Sequence, residues 1–178
     1  MDEMQLARGF ELRPHQPAHL RALIESVERY RDVSGLAAAP GLRDFFVSGD
    51  VSSTYADRLQ RTVDHDPWLH GFAIVDVEKS LAVGTAGFKG PPDEAGEVEI
   101  AYAIAPDHQG RGYASGAAVE LVRIASSAND VRRIRAHTLP ERNASTRVLA
   151  KAGFDFVREV VDPEDGPVWR WERAPERP

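Results

Sequence analysis

Residues 97–114 read EVEIAYAIAPDHQGRGYA, and this stretch decides the fold. Residues 98–105 are typical of a strand, which Pro106 ends. A turn with two glycines follows, and residues 112–127 have a helical period with a stripe of small apolar side chains. Glycines let a backbone approach a ligand closely, and the first turn of a helix presents unpaired amides at its positive end. The stretch therefore predicts a binding site for a phosphate or a pyrophosphate.

Two common phosphate motifs do not match this turn. A P-loop needs Gly-Lys-Ser/Thr, and no such lysine is present. The dinucleotide fingerprint needs three glycines at a fixed spacing in an early parallel βαβ unit, whereas here Gly116 follows Gly110 and Gly112 too late. A nucleotide-binding regulator is thereby disfavoured, and binding of ATP or NAD would revive it.

The pattern around the turn predicts a single α/β domain over residues 1–178, with an ordered core at about 8–173. The expected order is β-α-α-β-β-β-α-β-α-β-β, with a mixed, mostly antiparallel sheet flanked by helices. We predict strands at 10–13, 69–77, 81–88, 98–105, 132–138, 154–161 and 168–171. We predict helices at 17–30, 52–64, 112–127 and 145–152, and a loop at 31–50.

Composition narrows the class of protein. The chain has 178 residues, 42% of them hydrophobic and 28% charged, as in ordinary globular proteins. The absence of cysteine excludes disulfides and thiolate catalysis and favours a cytoplasmic location. We predict no secretory signal and no membrane span. The net charge of −6 disfavours nucleic acid as a partner. His15 and His19 lack a third ligand, so we predict no metal.

The turn resembles a family motif. Residues 109–114 resemble the acetyl-CoA-binding motif of the GNAT acetyltransferases, Gln/Arg-x-x-Gly-x-Gly/Ala, with Gln109, Gly112 and Ala114 in its fixed positions. Residues 143–154, NASTRVLAKAGF, resemble the family's second cofactor helix. The chain is similar to the branch that includes ribosomal-protein N-terminal acetyltransferases, over about residues 9–173. The resemblance implies a sheet whose central strands splay apart at the CoA site.

The resemblance also implies how acetyl-CoA binds as cosubstrate. The backbone near Ile104 and the side chain of Asn143 would meet the pantetheine arm. The pyrophosphate would lie on the turn formed by Gln109, Gly110, Arg111, Gly112, Tyr113 and Ala114.

Catalytic roles follow from the same resemblance. Glu99 matches the acidic position that serves as general base, and Glu97 lies on the same strand face as the alternative. Ser145 matches a serine of the N-terminal acetyltransferase branch, and it is equally compatible with a helix cap. Leu149 stands where many family members have a tyrosine that protonates the departing thiolate.

The sequence thus predicts an enzyme that acetylates a primary amine, on a small polar molecule or a protein N-terminus, as a monomer or homodimer. The acidic turn at 162–165 is expected beside the acceptor cleft, with Phe45 and Phe46 shaping it. The alternative is a non-catalytic acyl-CoA-binding sensor module, which needs no general base.

Overall fold

The computed structural model describes residues 9–48 and 59–177. Within these ranges eight strands form the sheet. The strands are β1 (Phe10–Pro14), β2 (Ala37–Ala38), β3 (Phe72–Asp76), β4 (Leu81–Phe88), β5 (Glu97–Ile104), β6 (Arg133–Thr138), β7 (Asp155–Asp162) and β8 (Gly166–Arg173). The helices are α1 (Pro17–Glu25), α2 (Val27–Ser34), α3 (Asp44–Val47), α4 (Pro67–His70), α5 (Tyr113–Ser127) and α6 (Ala144–Lys151).

The sheet order is β1-β3-β4-β5-β6-β8-β7, and β2 pairs with β4. The pairs β5–β6 and β2–β4 are parallel, and the other pairs are antiparallel, which confirms the predicted mixed sheet. The parallel contact of β5 with β6 is short, because only residues 97–99 pair with residues 133–135. Both strands continue past that point, so the sheet opens between them.

Apolar side chains bury both faces of the sheet. The larger core lies between the sheet and the helices α5 and α6, and it includes Ile100, Leu121 and Leu149. A second core, under α1 and α2, includes Leu23 and Tyr30. The two layers of helices fix the central strands from both sides and leave the opening between β5 and β6 as a defined gap.

The structure corrects the predicted bounds at several places. The predicted helix at 17–30 breaks at Ser26, whose extended backbone (φ −163°, ψ 162°) ends α1 and whose side chain caps α2. The predicted loop at 31–50 contains the end of α2 and the elements β2 and α3. The predicted strand at 69–77 starts with the helical turn α4, and β3 begins at Phe72.

Most of the remaining bounds agree to within two residues. Two successive pairs of predicted strands, 69–77 with 81–88 and 154–161 with 168–171, form antiparallel hairpins. Most of the predicted helix at 52–64 lies outside the described residues. Among the described residues, no helix has both the length and the apolar character that a bilayer span requires.

Candidate active site

The turn before α5 takes the conformation that its glycines allow. Gly110 and Gly112 have φ values of 74° and 84°, a region that other residues rarely adopt. The Gln109 side chain donates to the carbonyl of Ile104 at 3.2 Å, and the guanidinium of Arg111 donates to the carbonyl of Asp107 at 2.8 Å. These bonds tie the turn to the end of β5 and set the first amides of α5 beside it.

A cavity of about 570 Å³ lies where this turn, the end of β5 and α6 meet. Eight of the sequence-predicted site residues line it, namely Ile104, Gln109, Gly110, Arg111, Gly112, Tyr113, Ala114 and Ser145. Arg147 and Lys151 of α6 add two more cationic side chains to the wall, and Phe45 borders it. Free amides at a helix N-terminus and several cations suit a pyrophosphate with a further phosphate, so the residues present fit CoA.

Tyr102 is a cavity residue that the sequence did not single out for its side chain. Burial raises its pKa to about 12, although a hydrogen bond with Ser145 acts in the opposite direction. The phenol therefore stays protonated at neutral pH and can donate a hydrogen bond. Leu149 is buried in the core and has no hydroxyl, so α6 brings no tyrosine to the cavity at this position. Tyr102 of β5 brings one instead.

Asn143 is the N-cap of α6. Its side-chain oxygen accepts from the amide of Thr146 at 3.0 Å, and the Thr146 hydroxyl pairs with the Asn143 amide at 3.1 Å. Because Asn143 caps the helix, Ser145 does not, and its hydroxyl faces the cavity instead. The cavity lining among the described residues does not include Asn143, so its predicted contact with pantetheine stays a prediction.

Glu99 lies on β5 at the point where the sheet opens, and it is 8% exposed. Its carboxylate contacts Lys89 Nζ at 2.7 Å, His137 Nδ1 at 3.1 Å and Arg135 Nε at 3.3 Å. Burial alone would raise the pKa of Glu99, but Lys89 and His137 outweigh it and lower the pKa below its usual value. Glu99 is therefore ionised at neutral pH and is a weak base on its own.

Glu97, the alternative base, belongs to a different set of contacts. Its carboxylate pairs with Arg133 at 3.1 Å, with Arg135 at 2.8 Å and with Arg170 at 3.1 Å. Three guanidinium groups on β6 and β8 thus surround Glu97, which favours a structural role in joining the two parts of the sheet.

Residues alternate between the faces of a strand, so Glu99 and Tyr102 point to opposite faces of β5. The Glu99 face also carries His137 and, near the tip of the β7–β8 hairpin, Asp162. The Asp162 carboxylate accepts from the amides of Glu164 and Asp165, which lowers its pKa, with smaller effects from Lys89 and His137. The acidic turn therefore interacts electrostatically with Lys89 and His137, the same two side chains that contact Glu99.

His15 is the buried member of the histidine pair near the N-terminus. Burial lowers the pKa of His15 to about 3, so this ring is neutral, and its Nε2 lies 3.4 Å from the Thr85 hydroxyl. In the described parts of the chain, no three His, Cys, Asp or Glu side chains are arranged to hold a metal ion.

Comparison with known proteins agrees with this geometry. Residues 10–155 match the family model described as an acetyltransferase (GNAT) domain. The chain is 37% identical over 111 residues to the uncharacterized N-acetyltransferase YjdG of Bacillus subtilis, which covers 62% of this chain and 64% of that protein. It is 32% identical over 83 residues to the uncharacterized N-acetyltransferase p20 of Bacillus licheniformis, with 47% of each chain covered. Both matches span less than two thirds of the relative's length.

Solved structures share the fold at low identity. A spermidine N-acetyltransferase from Vibrio cholerae, in complex with CoA and spermine, superposes with a TM-score of 0.64 at 17% identity, over 94% of this chain and 96% of that one. A ribosomal-protein-S5-alanine acetyltransferase from Vibrio fischeri superposes with a TM-score of 0.65 at 16% identity, over 95% and 94% of the two chains. Because the family model matches residues 10–155 of the 178-residue chain, the chain belongs to the GNAT acetyltransferase family.

Proposed function

We propose that this protein transfers the acetyl group of acetyl-CoA to a primary amine by direct attack of the amine on the thioester. The observation that carries the proposal is the cavity in which the amides of the α5 N-terminus, the cationic side chains and the open end of β5 meet. The turn at 109–114 would hold the pyrophosphate through its backbone amides. Arg111, Arg147 and Lys151 would neutralise the phosphate charge.

The end of the cavity next to β5 supports the chemistry. Beyond residue 99, β5 pairs with β4 but no longer with β6, so one edge of this strand faces the gap. A free amide on that edge would polarise the thioester carbonyl. The protonated Tyr102, together with Ser145, would donate hydrogen bonds to the thiolate that departs.

The acceptor is expected to be cationic before it reacts. An alkylammonium has a pKa of about 10.4, so the site has to remove a proton before the nitrogen attacks. The acidic turn at 162–165 would attract such a cation to the face that carries Glu99. The names of two structural neighbours, which mention spermidine and a ribosomal-protein alanine, support an amine on a small polar molecule or a protein N-terminus. The cytoplasmic location and the choice between monomer and homodimer stay predictions.

The test is the release of free CoA thiol from acetyl-CoA across a panel of amines. The panel contains spermidine, a peptide that starts with alanine, an aminoglycoside and a free amino acid. We expect turnover with at least one cationic amine and micromolar binding of acetyl-CoA by calorimetry. Binding of acetyl-CoA without thiol release for any amine would favour the sensor module, and no binding at all would refute both functions.

The matched control for the panel is Gly112→Trp. Gly112 has a positive φ and lies where the backbone has to approach the pyrophosphate, so a bulky side chain there is expected to abolish acetyl-CoA binding. Gly112 lies at the surface turn before α5, and we expect the variant to stay folded by circular dichroism. Unchanged affinity in this variant would remove the turn from the binding site.

A further inference from the structure

His137 lies on β6 beyond the last residue of that strand that pairs with β5. The pairing ends at Glu99 and Arg135, and His137 follows two residues later on the same face as Arg135. Its Nδ1 lies 3.1 Å from Glu99 Oε1, so the two side chains bridge the strands where they begin to separate. The imidazole is 13% exposed.

The contact with Glu99 fixes which ring nitrogen carries the proton. An ionised carboxylate only accepts hydrogen bonds, so Nδ1 has to donate. Lys89, at 2.7 Å, keeps Glu99 in its ionised form. In the neutral imidazole, Nε2 then carries a lone pair and no hydrogen.

This lone pair has no partner among the residues that the structure describes. Nε2 of His137 is buried and makes no hydrogen bond to any residue in the ranges 9–48 and 59–177. A buried acceptor without a partner is unfavourable, and His65 Nε2 shares this state, so what sets His137 apart is its contact with Glu99 at the opening of the sheet. An unpaired basic nitrogen, held by a carboxylate at the opening of the sheet, suits proton transfer.

We propose that His137 Nε2 accepts the proton that the acceptor amine loses, and that Glu99 is a positioning residue that orients the ring. The inference rests on the proposed function. The ammonium form of the acceptor first gives one proton to Nε2, which releases it to solvent. The neutral nitrogen then forms a bond to the acetyl carbon, and the bond from that carbon to sulfur breaks with its electron pair on sulfur. The second proton leaves the nitrogen for Nε2 and passes from the imidazolium to the thiolate.

Several charged groups surround the ring. The acidic ones are Glu99 on β5 and Asp162 on β7, and the basic ones are Lys89 and Arg135. Arg170 of β8 is the register partner of His137, but its guanidinium pairs with Glu97 and Glu172. Of these groups, Glu99 makes the direct contact with the ring.

The test compares His137→Ala with the wild type on the best amine of the panel. We expect kcat/KM to fall by about 10²- to 10⁴-fold at pH 7, with the acetyl-CoA dissociation constant within twofold, because only the proton acceptor is lost. The acidic limb of the rate profile is expected to disappear. Added imidazole should restore part of the rate, which a structural role would not produce. If His137→Ala fails to fold, His137→Gln takes its place.

Two further variants separate the roles. Glu99→Gln alone is expected to lower kcat/KM. The same substitution should have little further effect on kcat/KM in the His137→Ala variant, because Glu99 acts through His137. His65→Gln is the control, since His65 also has a buried Nε2 with no described partner, bonds through Nδ1 to the His15 carbonyl, and lies outside the proposed machinery. It should keep the acidic limb.

Different results would contradict the role of His137 and the proposed function. A His137→Ala rate within threefold of the wild type, or an acidic limb that only Glu99→Gln removes, would overturn the role of His137. So would nitrogen NMR that places the neutral-ring proton on Nε2. A wild type that releases no thiol with any amine would overturn the proposed function, and the role of His137 with it.

Discussion

At the residue scale, Tyr102 provides a test of how the thiolate departs. We expect Tyr102→Phe to lower kcat by about tenfold, the loss of one hydrogen bond to a charged group of roughly 1.5 kcal/mol. The acetyl-CoA dissociation constant should change by less than twofold, because the ring still lines the cavity. The measurement is steady-state kinetics with calorimetry on the same preparations. An unchanged kcat under conditions where chemistry limits the rate would contradict a role for this phenol.

Single residues also show what the sequence could predict about the site. The turn at 109–114 is contiguous, so its motif predicted the six cavity residues 109–114 together, whereas Ile104 and Ser145, which also line the cavity, followed from the family resemblance of two other segments. The side chains of Tyr102 and His137 gain their chemistry from Ser145 and Glu99, which lie far away in the sequence. Only the register of β5 against β6 brings Glu99 and His137 together. The splayed central strands that the family resemblance implies pointed to this neighbourhood, but not to the pairing of these two side chains.

At the element scale, Gly116 sets how closely α5 packs on β1. A Cβ at this position would collide with the ring of Phe10, meeting Cζ and lying 2.5 Å from Cε1. Overpacking costs about 1–3 kcal/mol, and an alanine gains up to about 1 kcal/mol of helix propensity. We therefore expect Gly116→Ala to lower the free energy of unfolding by about 1 kcal/mol, measured by urea denaturation.

The neighbouring Ser115→Ala is the control for this prediction. It gains helix propensity without the collision, so its stability should equal or exceed that of the wild type. A Gly116→Ala variant more stable than the wild type would show that Phe10 moves aside freely. The glycine that came too late for a dinucleotide fingerprint is thus explained by helix packing.

The predicted bounds of helices and strands were wrong where a side-chain hydrogen bond interrupts the hydrophobic period. The apolar positions of residues 17–30 continue past Ser26, but the Ser26 hydroxyl accepts from the Arg29 amide and starts a second helix. Similarly, the Asp66 carboxylate caps the short helix at Pro67–His70 and delays β3 to Phe72. The hydrophobic pattern predicted the elements, whereas their ends depended on these local hydrogen bonds.

At the scale of the whole molecule, the charge of −6 and the acidic turn predict salt-sensitive capture of a cationic amine. Attraction of this range is screened over about 8 Å at physiological salt. We expect kcat/KM for a cationic amine to fall as salt rises, while kcat changes little. The measurement is the salt series for cationic and neutral amines in the wild type and in the triple variant Asp162→Asn, Glu164→Gln, Asp165→Asn.

The substitutions in the triple variant keep the shape of the turn. An asparagine at 162 retains the side-chain oxygen that accepts the two turn amides at 2.8 and 3.0 Å. A weaker salt response in the triple variant would place the turn at the acceptor entrance. An equal response in both proteins would remove it from that entrance, and a preference for anionic acceptors would overturn the expected substrate class.

The short pairing of β5 with β6 has a consequence for the stability of the protein in the cell. Three residue pairs join a five-strand unit, which is β1-β3-β4-β5 with β2 on β4, to a three-strand unit, β6-β8-β7. A molecule of acetyl-CoA bound in the gap would contact both units and would stabilise their association. A ligand at 100 times its dissociation constant adds about 2.7 kcal/mol to the free energy of unfolding. The lifetime of the protein would then follow the supply of its own acetyl donor, and a starved cell would lose the enzyme along with the substrate.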